Sequence, residues 1–124
     1  MSDFRIGVGA CVVVSLCDPR EKFWGVIGEI NAAGIWLRGI DVNSYEELLR
    51  TLARGEESIY PATVFFPLRR IERVLFDETA GEVPSLTARF EETTGRHLAD
   101  YLGIAQVLDE AADDGVDETT PFQH

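Results

Sequence analysis

The feature that most constrains the fold is a long apolar hairpin between residues 22 and 40. Its first arm, residues 22–30, is rich in β-branched and aromatic side chains and contains Gly25 and Gly28. A turn-forming segment, residues 31–34, leads into a second apolar arm. Glycine inside a strand typically marks a bulge, a sharp bend or a close backbone approach. Two glycines in one arm therefore predict a sheet that bends strongly instead of lying flat.

Both faces of this hairpin are apolar. If its turn is centred between residues 32 and 33, Glu29 lies opposite Trp36 and Ile27 lies opposite Arg38. One face then carries Trp24, Val26, Ile30, Ile35 and Leu37, and the other carries Phe23, Ile27, Trp36 and Ile40 beside Glu29 and Arg38.

A bulge at Gly34 would shift this register by one residue and exchange some members of the two faces. Under either register both faces hold large apolar groups, whereas a face open to water is mostly polar. Something must therefore cover the second face. The chain's own helices, another subunit, or a ligand in a groove could each do so.

The rest of the chain alternates between strand and helix patterns. Apolar runs at residues 12–16, 62–66 and 71–76 predict three further strands, the last two joined by a tight turn. Helical patterns fall at residues 44–54 and 85–102. The predicted fold class is α+β: a five-stranded, strongly bent antiparallel β-barrel with an inserted helix (44–54) and C-terminal helices (85–102).

The inserted helix has clear boundary signals. Ser44 and Glu47 have the spacing of a capping box at its start. Arg50 and Arg54 stand near its end, where cations are favoured by the helix dipole. Gly55 fits the left-handed residue that often ends a helix.

The net charge of −11 is unevenly distributed. Residues 104–124 hold six acids and no Lys or Arg, which leaves 16 acids and 11 bases, or −5, for the rest. We expect residues 1–103 to form a single domain and residues 104–124 to be an acidic, disordered tail. The acidic balance disfavours a nucleic acid as partner, because phosphate binding depends on Lys and Arg displacing counterions.

The sequence indicates a cytoplasmic location. It contains no apolar run of the roughly 20 residues that cross a membrane, so no membrane partner is expected, and its first residues lack a signal-peptide pattern. Cys11 and Cys17 are six residues apart on one predicted strand, about 20 Å in regular geometry. That separation is beyond the reach of a disulfide.

The segment from Val12 to Phe76 resembles the Sm-like small β-barrels and, more broadly, the SH3-like barrels. The resemblance is carried by Val14-Ser15-Leu16 leading to the glycine-bent Gly25-Val26-Ile27, and by the tight turn within Phe66-Pro67-Leu68-Arg69-Arg70-Ile71-Glu72-Arg73-Val74. The Asp of the family's RNA-reading loop is not reproduced, since Asn31 and Gly34 stand there without it. The family's rings form by joining edge strands, so the resemblance implies a homo-oligomer.

The leading functional hypothesis is accordingly a non-catalytic, oligomeric assembly or adaptor module, with itself or an unknown protein as partner. Long apolar edge strands invite pairing with another chain, although a C-terminal helix could instead cap such an edge. The candidate interface residues are Phe23, Trp36, Val64, Phe66, Val74 and Phe76.

Arg69, Arg70 and Arg73 form a basic cluster that could bind a carboxylate or phosphate. With aromatics such as Trp36 or Phe66 they would suit an RNA- or nucleotide-binding protein, the first alternative function. The favoured interpretation, however, is a solvated turn in which the arginines pair with Glu72, Asp77 or the acidic tail.

No catalytic, cofactor-binding or metal-ligating residue is predicted. His97 and His124 stand alone, without the Cys/His spacing of a zinc site. Neighbouring glutamates on a helix point about 100° apart, so pairs such as Glu91 and Glu92 are not acid–base dyads. A small enzyme with a cleft between the barrel and the C-terminal helices is the remaining alternative.

Overall fold

The five predicted strands are present and form one antiparallel sheet. The computed structural model describes residues 6–104; the acidic segment 105–124 and its predicted disorder lie outside the described residues. The strands are β1 (Cys11–Leu16), β2 (Glu21–Asn31), β3 (Gly34–Asp41), β4 (Ala62–Pro67) and β5 (Ile71–Phe76). The helices are α1 (Tyr45–Ala53), α2 (Leu86–Thr94) and α3 (Leu98–Leu102). The strand order is β4-β3-β2-β1-β5.

The sheet is open, and it is not the closed barrel that the hairpin predicts. β4 and β5 lie at its two edges, and no ladder joins them. A 3₁₀ turn, Leu68–Arg70, nevertheless connects these edge strands directly. Across a flat five-stranded sheet the edges would be roughly 19 Å apart, whereas the four residue steps from Pro67 to Ile71 reach about 14 Å. The sheet must therefore bend until its two edges approach each other at this end.

A pair of facing glycines marks a close approach of the two hairpin strands. Gly25 of β2 lies directly opposite Gly39 of β3. A Cβ atom on Gly25 would lie 2.4 Å from the carbonyl oxygen of Arg38, and one on Gly39 would lie 2.0 Å from that of Trp24. Only glycine allows the two backbones to approach this closely, so the local sequence does indicate this close approach.

The register of the hairpin differs from the predicted one. Glu29 lies opposite Trp36, as expected, but Ile27 lies opposite Leu37 instead of Arg38. The cause is a bulge at Gly28, where the register shifts, and not at Gly34. The predicted division of side chains between the two faces is therefore wrong for several residues.

The bend and the bulge produce two separate hydrophobic cores. The concave inner face of the sheet buries one set of side chains, namely Val12, Val14, Leu16, Phe23, Ile27, Ile35, Leu37 and Phe66. The outer face packs against the helices in a second core of Trp24, Val26, Ile40, Tyr45, Leu48, Leu49, Leu52, Phe90, Leu98 and Leu102. The chain's own helices therefore cover this part of the second face; they are the first of the three alternatives considered from the sequence.

The start of α1 is not the predicted capping box. A 3₁₀ turn, Val42–Ser44, precedes the helix, and the carboxylate of Asp41 accepts a hydrogen bond from the Asn43 backbone N–H at 2.7 Å. Ser44 has αR backbone angles and makes no capping hydrogen bond with its side chain. The polar group that begins the turn therefore comes from the end of β3. At the other end, Gly55 has a φ of +80°, as predicted.

One carboxylate joins the sheet to the helical layer. Asp77, directly after β5, accepts hydrogen bonds from the backbone N–H of Leu86 at 2.7 Å and of Thr87 at 2.8 Å. It also accepts from the Thr87 hydroxyl at 2.6 Å and from Trp24 Nε1 at 3.1 Å. Asp77 thus satisfies orphan N–H groups of the first turn of α2 while fixing the indole of β2.

We predict that Asp77→Ala lowers the free energy of unfolding by roughly 2–4 kcal/mol, because it leaves the indole N–H and two helix N–H groups without their acceptor. Urea unfolding measures the loss. Glu78→Ala, at the exposed neighbouring residue, is the matched control and should stay within about 0.5 kcal/mol of the parent. Equal stability of the two variants would contradict the assigned role of Asp77.

Three groups, one buried and two half-buried, hold their protons in the folded state. Burial raises the pKa of Tyr45 and of Tyr101 to about 12, and that of the Cys11 thiol to about 12. The Tyr45 hydroxyl donates to the carbonyl of Leu86 at 2.6 Å, and the Tyr101 hydroxyl donates to that of Ile59 at 2.8 Å. Each phenol therefore ties a helix to a neighbouring segment only while it is protonated.

We predict that stability falls as the pH rises from about 9 towards 12. The unfolded chain releases these protons near the ordinary pKa values of 9.0 for Cys and 10.0 for Tyr, while the folded chain retains them. The folded state then binds more protons, so the free energy of unfolding decreases with pH. Urea titrations across this range should show a shallower decline for Tyr45→Phe; parallel declines would contradict the prediction.

Candidate interaction surface

The helical layer covers only part of the outer face, and it ends at Arg38. The Nε of Arg38 donates to the carbonyl of Leu102 at 2.8 Å, at the C-terminal end of α3. Its Nη1 donates to the Thr63 hydroxyl at 3.2 Å and to the Pro61 carbonyl at 3.4 Å. Arg38 thus forms a polar border between the covered outer face and the next residues along β3 and β4.

An aromatic pair lies beyond this border. Trp36 of β3 and Phe65 of β4 are directly opposite each other in the ladder, with ring centroids 5.2 Å apart. Their exposed fractions are 42% and 36%, against 1% for Trp24 under the helices. Aromatic groups at adjoining positions on a surface are typical of a protein–protein contact.

The backbone beside this pair is unpaired. Within residues 6–104, β4 pairs only with β3 and β5 pairs only with β1, so each presents a free edge. Both edge strands have six residues. A free edge offers a row of backbone N–H and C=O groups to an incoming strand. The surface therefore combines hydrogen-bonding capacity with apolar area.

The second edge carries its own exposed apolar group. Leu75 of β5 lies opposite Val13 and is 49% exposed. Arg73, two residues before it, lies opposite Ser15 and is also exposed. The two edges of the sheet are thus chemically different, one flanked by aromatic rings and the other by an aliphatic and a basic side chain.

The candidate interface residues are distributed over different environments. Trp36 is exposed at the aromatic pair. Phe23 and Phe66 are buried in the inner core, where their rings pack edge to face at 5.4 Å. Val64 and Val74 are half-buried against the same core, and Phe76 is half-buried.

Sequence reasoning missed Phe65 and Leu75. Val64 and Phe66 flank Phe65, and Val74 precedes Leu75; these neighbours pack on the inner core, so the alternation of a strand directs Phe65 and Leu75 outwards. Because successive side chains of a strand point to opposite faces, Phe65 and Phe66 cannot both be buried on the inner face. Once that face was known, the alternation would have identified Phe65 as the exposed ring.

The basic cluster is also divided by the fold. Arg70 donates from Nε to the Cys17 carbonyl at 3.0 Å and from Nη2 to the Pro19 carbonyl at 2.7 Å, and lies 3.5 Å from the Glu21 carboxylate. It therefore holds the β1–β2 turn against the Leu68–Arg70 turn. Arg69 and Arg73 are exposed.

A second group of arginines, missed from the sequence, lines a shallow groove of about 390 Å³ between α1 and α2. Arg89 binds both carboxylate oxygens of Glu46 at 2.8 Å, and this hydrogen bonding lowers the pKa of Glu46. Arg50 pairs with Glu47, and Arg54 pairs with Glu56. Each guanidinium already has a carboxylate partner, so the groove is a set of exposed ion pairs.

The part of the chain that the structure describes contains no cluster of three or more His, Cys, Asp or Glu side chains able to hold a metal ion. Among those same residues, no helix has the length and apolar character needed to cross a membrane. Comparison with protein-family models, with curated proteins and with solved structures finds no significant match.

We predict that Arg70→Ala lowers the free energy of unfolding by roughly 1.5–3 kcal/mol, because charged hydrogen bonds to two carbonyls are lost. Arg69→Ala is the matched control, since its side chain is exposed on the same turn; it should change stability by less than about 0.5 kcal/mol. Thermal and urea unfolding check both. Equal effects would contradict the structural role assigned to Arg70.

Proposed function

We propose that this protein is a non-catalytic assembly module of the Sm-like or SH3-like small-barrel class, and that it associates with copies of itself through its two free sheet edges. The observation that carries the proposal is the coincidence of unpaired edge strands with exposed apolar side chains. An adaptor role towards another protein would use the same surface.

The proposed class is supported by the arrangement of the strands. The sheet order is β4-β3-β2-β1-β5, with a three-residue 3₁₀ turn between the two edge strands and a glycine-dependent bend in β2. These are the features on which the sequence resemblance rests. The inserted α1 and the appended α2 and α3 form the layer over one face and leave both edges open.

A head-to-tail contact uses the available surface best. Pairing two β4 strands about a two-fold axis would leave every β5 edge unpaired. Pairing β4 of one copy with β5 of the next uses both edges, and repetition of one such heterologous contact closes into a ring when the rotation permits. In that arrangement Phe65 of one copy faces the region of Leu75 on its neighbour.

The two alternative functions receive less support. For nucleic-acid binding, Phe66 is buried and Arg70 is occupied, while Trp36 and Arg73 stand on strands separated by β2 and β1. An enzyme would need a cleft between the sheet and the helices, but buried side chains, Trp24 and Phe90 among them, fill the space there.

We predict that the full chain forms oligomers at tens of micromolar, measured by light scattering against a monomer mass of 13.8 kDa. Phe65→Lys and Leu75→Lys should each weaken assembly at least about tenfold, because a charge is placed in the contact. Val83→Lys, at a more exposed apolar residue away from both edge strands, is the control and should assemble normally.

Circular dichroism and thermal unfolding establish that each variant is folded. A monomeric parent chain at these concentrations would overturn self-assembly. Oligomers that persist unchanged in both edge variants would overturn the proposed contact.

A further inference from the structure

A buried serine hydroxyl in β1 has no hydrogen-bond partner. Ser15 is 4% exposed, and its Oγ neither donates nor accepts a hydrogen bond within residues 6–104. No other buried side-chain oxygen or nitrogen in that range is left unpaired. Buried polar atoms nearly always have a partner, because leaving one unpaired is costly. The hydroxyl is therefore available to a group that the fold itself does not supply.

Two cationic side chains flank this hydroxyl. Lys22 of β2 and Arg73 of β5 each lie directly opposite Ser15 in the two ladders. Val14 and Leu16, on either side of Ser15, pack in the inner core, so strand alternation directs Ser15 to the outer face. Directly opposite residues share a face and have Cβ atoms about 4.5–5.5 Å apart. Lys22, Ser15 and Arg73 thus form one row across three strands, which we call the cationic row.

The two cations of this row are available to a ligand. Lys22 and Arg73 are exposed, and neither forms an ion pair within the described range 6–104. Arg70, by contrast, is held by the β1–β2 turn. Lysine and arginine are several atoms longer than serine, so they rise on either side of the short hydroxyl. Exposed side chains change rotamer within nanoseconds, and such movement gives an anion access to Ser15.

We propose that the cationic row binds a phosphate group. The Ser15 hydroxyl donates one hydrogen bond to it, and the Lys22 ammonium and the Arg73 guanidinium pair with the remaining oxygens. A phosphate dianion matches the two cations in charge and has enough acceptor oxygens for all three donors. A carboxylate has one charge and two oxygens, so it should bind more weakly. The site uses side chains on the face of the sheet and not its backbone edges, so it does not rest on the proposed function.

Leu75 distinguishes a free phosphate from a phosphate ester. It follows Arg73 by two residues on β5, lies opposite Val13 and is 49% exposed. Residues two apart on a strand share a face, about 6.5–7 Å from each other. An apolar group esterified to the bound phosphate can therefore lie on Leu75, whereas inorganic phosphate cannot use this contact.

Phosphate titration of the ¹⁵N-labelled full chain tests the site, with chloride holding the ionic strength constant. We expect saturable shifts of the Ser15 and Lys22 amide signals, with a Kd on the order of millimolar for so small a ligand. Acetate should bind more weakly. Ser15→Ala, Lys22→Gln and Arg73→Gln should each weaken phosphate binding about tenfold, because each removes a donor to a charged acceptor.

Arg69→Gln, at an exposed arginine outside the row, is the matched control and should bind phosphate like the parent. Ser15→Ala should remain folded, with an unfolding midpoint in phosphate-free urea at or above that of the parent, because the deleted hydroxyl loses no hydrogen bond. A lower midpoint would reveal a partner within the fold and overturn the role of Ser15.

Three further outcomes would overturn the site itself. They are the absence of a saturable shift in the parent chain, unchanged affinity in Ser15→Ala, and equal weakening in Arg69→Gln and Arg73→Gln. Titration with phenyl phosphate then identifies the source of the phosphate group. Binding tighter than that of inorganic phosphate, and lost in Leu75→Ala, assigns the site to a phosphate ester; equal binding of the two assigns it to the free ion.

Discussion

The outer half of this structure depends on the contact between one carboxylate, one indole and one helix terminus. The two carboxylate oxygens of Asp77 accept hydrogen bonds from the indole of Trp24 in β2 and from backbone N–H groups in the first turn of α2. A carboxylate is favoured at a helix N-terminus by the helix dipole as well as by its hydrogen bonds. With α2 placed in this way, Phe90 and Tyr45 pack on the Trp24 ring at centroid distances of 5.8 and 5.1 Å. The second core is built around that indole.

The anchoring of α2 to Trp24 through Asp77 explains why the helical layer covers one region of the outer face and leaves another exposed. The helices gather over Trp24, and α3 ends where Arg38 donates a hydrogen bond to the carbonyl of Leu102. The guanidinium of Arg38 donates to three acceptors. Extending the apolar layer across it would displace those acceptors and leave buried donors without partners, which is costly. Trp36 and Phe65 therefore lie outside the layer, at the edge strand β4, whose outer side pairs with no other strand of residues 6–104. Self-assembly is proposed on this surface for that reason.

Local sequence patterns predicted most of the elements correctly. All five strands are present, and the predicted helical regions contain α1, α2 and α3. The close backbone approach at Gly25 and the bulge at Gly28 are both roles that glycine in an apolar strand indicates. The capping box at Ser44 was wrong because Asp41, at the end of β3, supplies the first cap of a 3₁₀ turn. The closed barrel was wrong because strand pattern does not determine whether two edges pair.

The candidate site was much less predictable. Trp36 was identified, but Phe65 was not, and Phe66 was taken for an accessible ring although it is buried. The faces of Phe65 and Phe66 follow from the pairing of β4 with β3, which places Phe66 opposite the buried Ile35 and Phe65 opposite the exposed Trp36. That pairing joins residues about 30 positions apart, and a local pattern does not record it.

The sequence by itself determined where strands and helices form, where the backbone must be glycine, and where the acidic charge lies, because propensity, steric fit and charge are local properties. The tertiary structure alone decided which of two tryptophans is buried, which of two neighbouring phenylalanines faces water, and which of two adjacent arginines is occupied. Burial and pairing are relations between segments far apart in the chain, and they exist only once the bent sheet and the helical layer have met.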